Sequence, residues 1–172
     1  MKNIEYFKLQ AKNLYRDYKT QYSYVDEIDG NTYFAYKPKY FDIESLFLDW
    51  YQDSIIEEKF TLMKAQHLIA KLLGFNKWDE LISASEEQLS FLHLLFDNEH
   101  HANLEEWNIY LKSCYKMNPT ISEFSYSEQQ EIFEEIFIKQ NLCSDFVPYR
   151  LDCQKKREEM NPSGEFVSIS RY

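Results

Sequence analysis

Glycine and proline are scarce in this chain, at three and four among 172 residues. That excludes the turn-dense β-sandwiches and barrels that need both at their corners. So few glycines also exclude a phosphate-cradling glycine-rich loop, and no Walker-type segment or Gly-x-Ser-x-Gly elbow is present. Cysteine is equally sparse. Cys114, Cys143 and Cys153 show no Cys-x-x-Cys spacing and read as reduced thiols rather than a disulfide framework, with a Cys143–Cys153 pairing left open. No apolar run approaches the length of a membrane span, and residues 1–19 carry neither an apolar h-region nor a cleavage pattern, so the expectation is a cytoplasmic protein with no membrane contact. Between Ser85 and Tyr110 there is no Lys or Arg, while Glu86, Glu87, Asp97, Glu99, Glu105 and Glu106 all fall there. Such a face repels phosphate backbones and disfavours nucleic acid as a partner.

What is abundant is aromatic. With 14 Tyr and 13 Phe the chain holds too many large rings to remain a disordered acidic polymer, despite a formal charge of −10. The expected fold is all-α, a bundle of about six or seven helices forming a single domain over residues 1–160, with 161–172 as a C-terminal tail. Residues from Asn3 to about Lys19 have Ile4, Phe7, Ala11, Leu14, Tyr15 and Tyr18 at helical spacing, with the charged residues facing water. Asp29-Gly30 between Tyr-rich flanks gives a short hairpin signal near 22–36; the alternative is an extended loop lying over the helical core. Asp42 caps a short helix. Ser85 with Gln88, Asn103 with Glu106 and Ser127 with Gln130 have the spacing of capping boxes that open three more. The basic residues gather in the first and last helices, around Lys8, Lys12 and Arg16 and around Arg150, Lys155, Lys156 and Arg157. Lying together, those helices would form one positive patch.

The stretch Phe60–Ser85 is the expected organising element. Thr61 is placed to cap a helix ending at Gly74, where a left-handed exit is needed, and Asn76 to cap a second. Phe75 and Trp78 are the apolar plugs between the two, and Leu81 and Ile82 continue the buried face. Gln66 falls within the apolar arc and needs an internal partner, while His67 reads as a surface residue. The spacing Ala70-x-x-x-Gly74-Phe75-x-x-Trp78-x-x-Leu81, with Gln10-Ala11-Lys12-x-Leu14 before it, resembles a small uncharacterised bacterial helical domain often labelled a glyoxalase-superfamily protein. The resemblance covers about a third of the chain. It carries no established activity; packing by itself gives Gln66, Gly74, Phe75, Trp78 and Leu81 a structural role.

Two chemical readings compete with a purely structural one. Gln66, Ala70 and Gly74 match the opening of a helix-turn-helix, but its apolar positions then fall on Glu80 and Ser83, and Asp79 and Glu80 stand where DNA requires cations. If the helix from Glu86 runs on past Asp97, then His93, Asp97 and His100 share one stripe at i, i+4 and i+7, a donor set suited to zinc or iron. That stripe lies opposite Leu89, Leu92 and Phe96 and is expected to face solvent. The reading favoured by the sequence is a non-catalytic interaction protein, with no cofactor, that binds another protein or itself through an aromatic-rich surface. The alternatives are a metal-dependent or small-molecule enzyme using His93, Asp97 and His100, and a helix-turn-helix-like regulator.

Overall fold

The computed structural model describes residues 2–51, 60–120 and 122–162; the expected tail lies outside them from residue 163 onward. The elements in chain order are α1 (Asn3–Tyr18), β1 (Tyr22–Val25), β2 (Thr32–Ala35), α2 (Ile43–Tyr51), α3 (Leu62–Leu72), α4 (Trp78–Ile82), α5 (Glu86–Asp97), α6 (Leu104–Met117), α7 (Tyr126–Phe133) and α8 (Leu151–Met160). The fold is mostly α, as expected, although the described residues form eight α-helices rather than six or seven. A π-helical turn, Glu134–Ile138, extends α7. The hairpin forms, with β1 and β2 antiparallel and Tyr24 opposite Tyr33.

Helix starts follow local hydrogen-bond chemistry. The Thr61 side chain accepts from the Lys64 N–H, that of Asp42 from Ser45, and Asn103 and Glu106 make a full capping box. Ser85 caps α5 through the Gln88 N–H. The box opening α7 is two residues earlier than expected: Ser125 and Glu128 form it, while the Gln130 amide is committed to Glu134. Asn76 does not cap α4. Lys77 is the N-cap, the Trp78 N–H is taken by His67 Nδ1 at 3.1 Å, and the Asn76 N–H by Glu80 at 2.9 Å. His67 is thereby a structural acceptor rather than a bystander on the surface.

Two apolar clusters form the interior. The first joins Phe7, Ala11 and Leu14 of α1 with Leu46 and Phe47 of α2, Leu68 and Ile69 of α3, Trp78 and Leu81 of α4, and Leu89, Leu92 and Phe96 of α5. The second joins Phe91 and Leu95 of α5 with Trp107 and Leu111 of α6, and Phe133 and Phe137 near α7. Trp78 and Leu81 are buried as expected, Phe75 is partly buried against the first cluster, and Ile82 is exposed. Gly74 has φ +83°, the left-handed exit that a side chain resists. The helix that serves both clusters, however, is α5. Its apolar residues are too many for one face, so it lies between the two clusters, and the α3–α4 pair packs on one side only.

Candidate functional site: a buried arginine network at the end of the central helix

Because α5 is flanked on two sides, the stripe bearing His93 and Asp97 is only partly open to solvent. His93 stacks on the Tyr6 ring with centroids 3.7 Å apart. Its Nε2 lies 3.2 Å from Asp97 Oδ2, and its Nδ1 lies 2.9 Å from Asn3 Oδ1. Helix α5 ends at Asp97, which takes His100 off the stripe and into the following turn. There His100 is 5% exposed and packs against His101 with centroids 4.4 Å apart. His93 and Asp97 are therefore brought together and His100 is placed elsewhere. Among the described residues no group of three or more His, Cys, Asp or Glu side chains is arranged to hold a metal ion.

The residue that organises this region is Arg150, at the N-cap of α8. It is 9% exposed, so it contributes nothing to a surface patch. Nη1 donates to Asp97 Oδ1 at 2.5 Å, to the Tyr6 hydroxyl at 2.9 Å and to the Phe96 carbonyl at 3.1 Å. Nε and Nη2 grip Asp152 at 3.1 and 2.7 Å. Its guanidinium also lies over the Phe96 ring, 5.1 Å from the centroid. The Tyr6 hydroxyl donates in turn to Asp97. Lys156 Nζ and the Cys153 thiol approach the Asp97 carbonyl. Helix α5 has no basic residue in its own last turn, so cations from α8 supply the charge its C-terminus favours.

The loop that delivers Arg150 is itself held by a buried acid. Asp17, 2% exposed, accepts the backbone N–H groups of Lys39, Tyr40 and Phe41 at 3.0, 2.7 and 2.8 Å. Those residues pair with the segment before α8: Phe41 bridges Arg150, the Asp42 N–H donates to the Tyr149 carbonyl, and the Leu151 N–H to that of Tyr40. A polar spine thus runs from α1 through residues 39–42 and 149–152 to the end of α5. The charged residues of α1 do not all face water.

Protonation in the network is settled by its surroundings. Burial raises the Tyr6 phenol well above its ordinary value, with Arg150 opposing. Burial also pulls Asp97 upward, but the hydrogen bonds from Tyr6 and Arg150 hold its carboxyl below the ordinary aspartate value. Burial lowers His93 against the attraction of Asp97. With Asp97 ionised and Tyr6 protonated, neither has a pKa near neutrality, as acid–base catalysis would want. The network ties helices together.

Beside it lies a group of different character. Glu99, in the turn after α5, is half-buried, and its Oε2 is enclosed with no hydrogen-bond partner. Burial pushes its carboxyl up to about 8, with Arg150 pulling down and Asp152 and Asp97 pushing further up. It lines a cleft of about 390 Å³ whose walls include Trp50, Lys71, Leu72, Ile109, Lys112, Phe146 and Tyr149. His100 Nδ1 is likewise buried without a partner, and burial, aided by His101 and Lys156, depresses its pKa to about 4.

Sequence reasoning grouped Arg150 with the surface lysines and passed over Tyr6, Asp17 and the unpaired state of Glu99. The absence of any cation between Ser85 and Tyr110 was the usable signal, because the end of α5 then requires one from elsewhere. No family model, curated protein or solved structure matches the chain.

Proposed function

We propose that this is a non-catalytic interaction protein whose contact surface is the β1–β2 hairpin and whose partner is a second copy of the same chain. The observation that carries the reading is the surface of that hairpin. Tyr22, Tyr24, Val25, Tyr33 and Phe34 are all exposed, and Ile28 at the tip is 97% exposed. No third strand is paired to the ribbon among the described residues. Soluble proteins guard such edges with lysine, proline or charge, yet neither strand contains a charged residue.

Charge favours a second copy as the occupant. A chain of net charge −10 repels itself over most of its surface, and the uncharged ribbon is where that repulsion is least. The tip carries Asp26, Glu27 and Asp29, while Lys37 and Lys39 follow the base of β2. Antiparallel pairing of β2 with β2 about a two-fold axis sets the acidic tip of each copy alongside the lysines of the other. The saturated Arg150 network supports a role without catalysis. Three free thiols support a reducing compartment such as the cytoplasm. Among the described residues no helix is long and apolar enough to cross a membrane.

Sedimentation equilibrium tests the proposal. The expected result is a dimer that Phe34→Lys converts to a folded monomer, that Lys37→Glu/Lys39→Glu weakens, and that adding Glu27→Lys to the latter partly restores. A parent chain that stays monomeric at about 100 μM would overturn the reading, since an association weaker than that is worth less than about 5.5 kcal/mol.

A further inference from the structure

The cleft lined by Glu99 shares no residue with the hairpin, and nothing in the self-association uses it. Besides Glu99 from the turn after α5, its walls come from four places: Trp50 from α2, Lys71 and Leu72 from the end of α3, Glu105, Ile109 and Lys112 among others from α6 and its cap, and Phe146 and Tyr149 from the segment before α8. Tyr149 is fixed there, its hydroxyl donating to Asp49 at 2.7 Å. The volume, about 390 Å³, falls within the range of small-molecule sites, which are mostly apolar with a few placed polar groups.

Three features define what would fit. First, Glu99 Oε2 is buried without a partner. A polar atom enclosed in this way is one that native structures ordinarily satisfy. Second, the cleft carries both signs of charge: Glu99 and Glu105 against Lys71 and Lys112. Among the described residues neither lysine makes an ion pair, so both ammonium groups are available to a ligand. With Glu99 protonated the cleft sets Glu105 against two lysines and attracts a carboxylate; ionisation of Glu99 beside an ammonium then brings it to two acids and two lysines, so the site suits a molecule bearing both charges. Third, apart from Asn103 and Asn108 the remaining wall is apolar and aromatic, and it favours a hydrophobic body between the two charged ends.

We infer that this cleft binds a small zwitterion of the α-amino acid class with a large apolar side chain. Its ammonium group sits at Glu99, its carboxylate at Lys71 or Lys112, and its side chain among Trp50, Leu72 and Phe146. The carboxyl of Glu99, held up to about 8 by burial, releases its proton to water as the already protonated ammonium arrives, because a nearby cation favours the charged form. Arg150, Asp152 and Asp97 are the charged groups that already act on it.

Titration of the full chain with L-phenylalanine, followed by heteronuclear NMR shifts, tests the inference, with phenethylamine and 3-phenylpropionate as probes lacking one charge each. The expected result is saturable binding of the amino acid, with each one-charge probe weaker by at least about tenfold. Glu99→Gln keeps the shape of the side chain and should weaken L-phenylalanine by a similar factor while leaving 3-phenylpropionate unaffected. Lys71→Ala/Lys112→Ala, both outside the core, provides an independent arm that should weaken the amino acid and spare phenethylamine. Failure of L-phenylalanine to bind at about 10 mM, equal binding of the one-charge probes, or binding indifferent to both variants would each overturn it.

Discussion

Arg150 and Asp97, 53 positions apart in sequence, meet at 2.5 Å where the central helix ends and the last helix begins. The Arg150 side chain is 11% exposed and that of Asp97 41%, so the pair is screened from one side only. Arg150→Met should cost about 2 to 4 kcal/mol, somewhat below the figure for fully buried pairs, because Asp97 and Asp152 regain water when the guanidinium leaves. Asp97→Asn should cost less, about 1 to 2 kcal/mol, since the amide still accepts from Arg150. Urea unfolding of the two variants and their double mutant measures both terms and their coupling. Losses below about 0.5 kcal/mol would mark this as an ordinary surface pair.

The α3–α4 pair makes a second expectation. Trp78 is buried within the first cluster, and Trp78→Ala should destabilise by about 3 to 5 kcal/mol. Gly74→Ala faces two obstacles: a φ of +83°, and a Cβ that would stand 3.0 Å from Leu104 Cδ2. The conformational term is about 1 kcal/mol, and the methyl of Leu104 must move as well. If Gly74→Ala melts with the parent in a thermal scan, the left-handed exit is not required.

Much of this architecture was legible because caps and helical periodicity are local. Asn103 and Glu106 announce α6 within four residues, and its bounds follow. The start of α7 was harder, since Ser125 with Glu128 and Ser127 with Gln130 offer overlapping boxes. The carboxylate wins by accepting from both the N–H and the hydroxyl of Ser125. The site was far less legible. His93 and Asp97 are four apart on one helix and could be paired from spacing, but whether that pair faces water depends on Tyr6, 91 positions from Asp97. Asp17 reads as one more acid on an amphipathic helix; only the return of residues 39–41 turns it into a buried acceptor of three N–H groups. Periodicity reports which face of a helix is apolar, and it does not report that α1 and α8 partly cover the polar stripe at the C-terminal end of α5 while Glu86, Glu87 and Ser90 stay exposed.

The dependence of stability on pH follows from the groups around the end of α5. Glu99 has its folded-state carboxyl at about 8 against an ordinary 4.5, so between those values the folded protein holds a proton that the unfolded chain has lost. Stability contributed by this group therefore falls as pH rises across that window. His100 works in the opposite sense. Its pKa is about 4 in place of 6.5, so the unfolded chain binds more protons there and stability rises with pH up to about 6.5. His93 and His101 are lowered too, both chiefly by burial, and add to that rise. Below 6.5 the histidines oppose Glu99; above it Glu99 acts alone. Stability should peak near pH 6.5 and decline toward pH 8, by at most about 2 kcal/mol, because one proton over 1.5 pH units is worth roughly that much. Glu99→Gln should flatten the alkaline limb and raise the melting temperature at pH 8 while leaving the acid limb to the histidines. Thermal denaturation of parent and variant from pH 4 to 8 provides the check, and a parent whose stability holds level or climbs between pH 6.5 and 8 would show that Glu99 is ionised in the folded state.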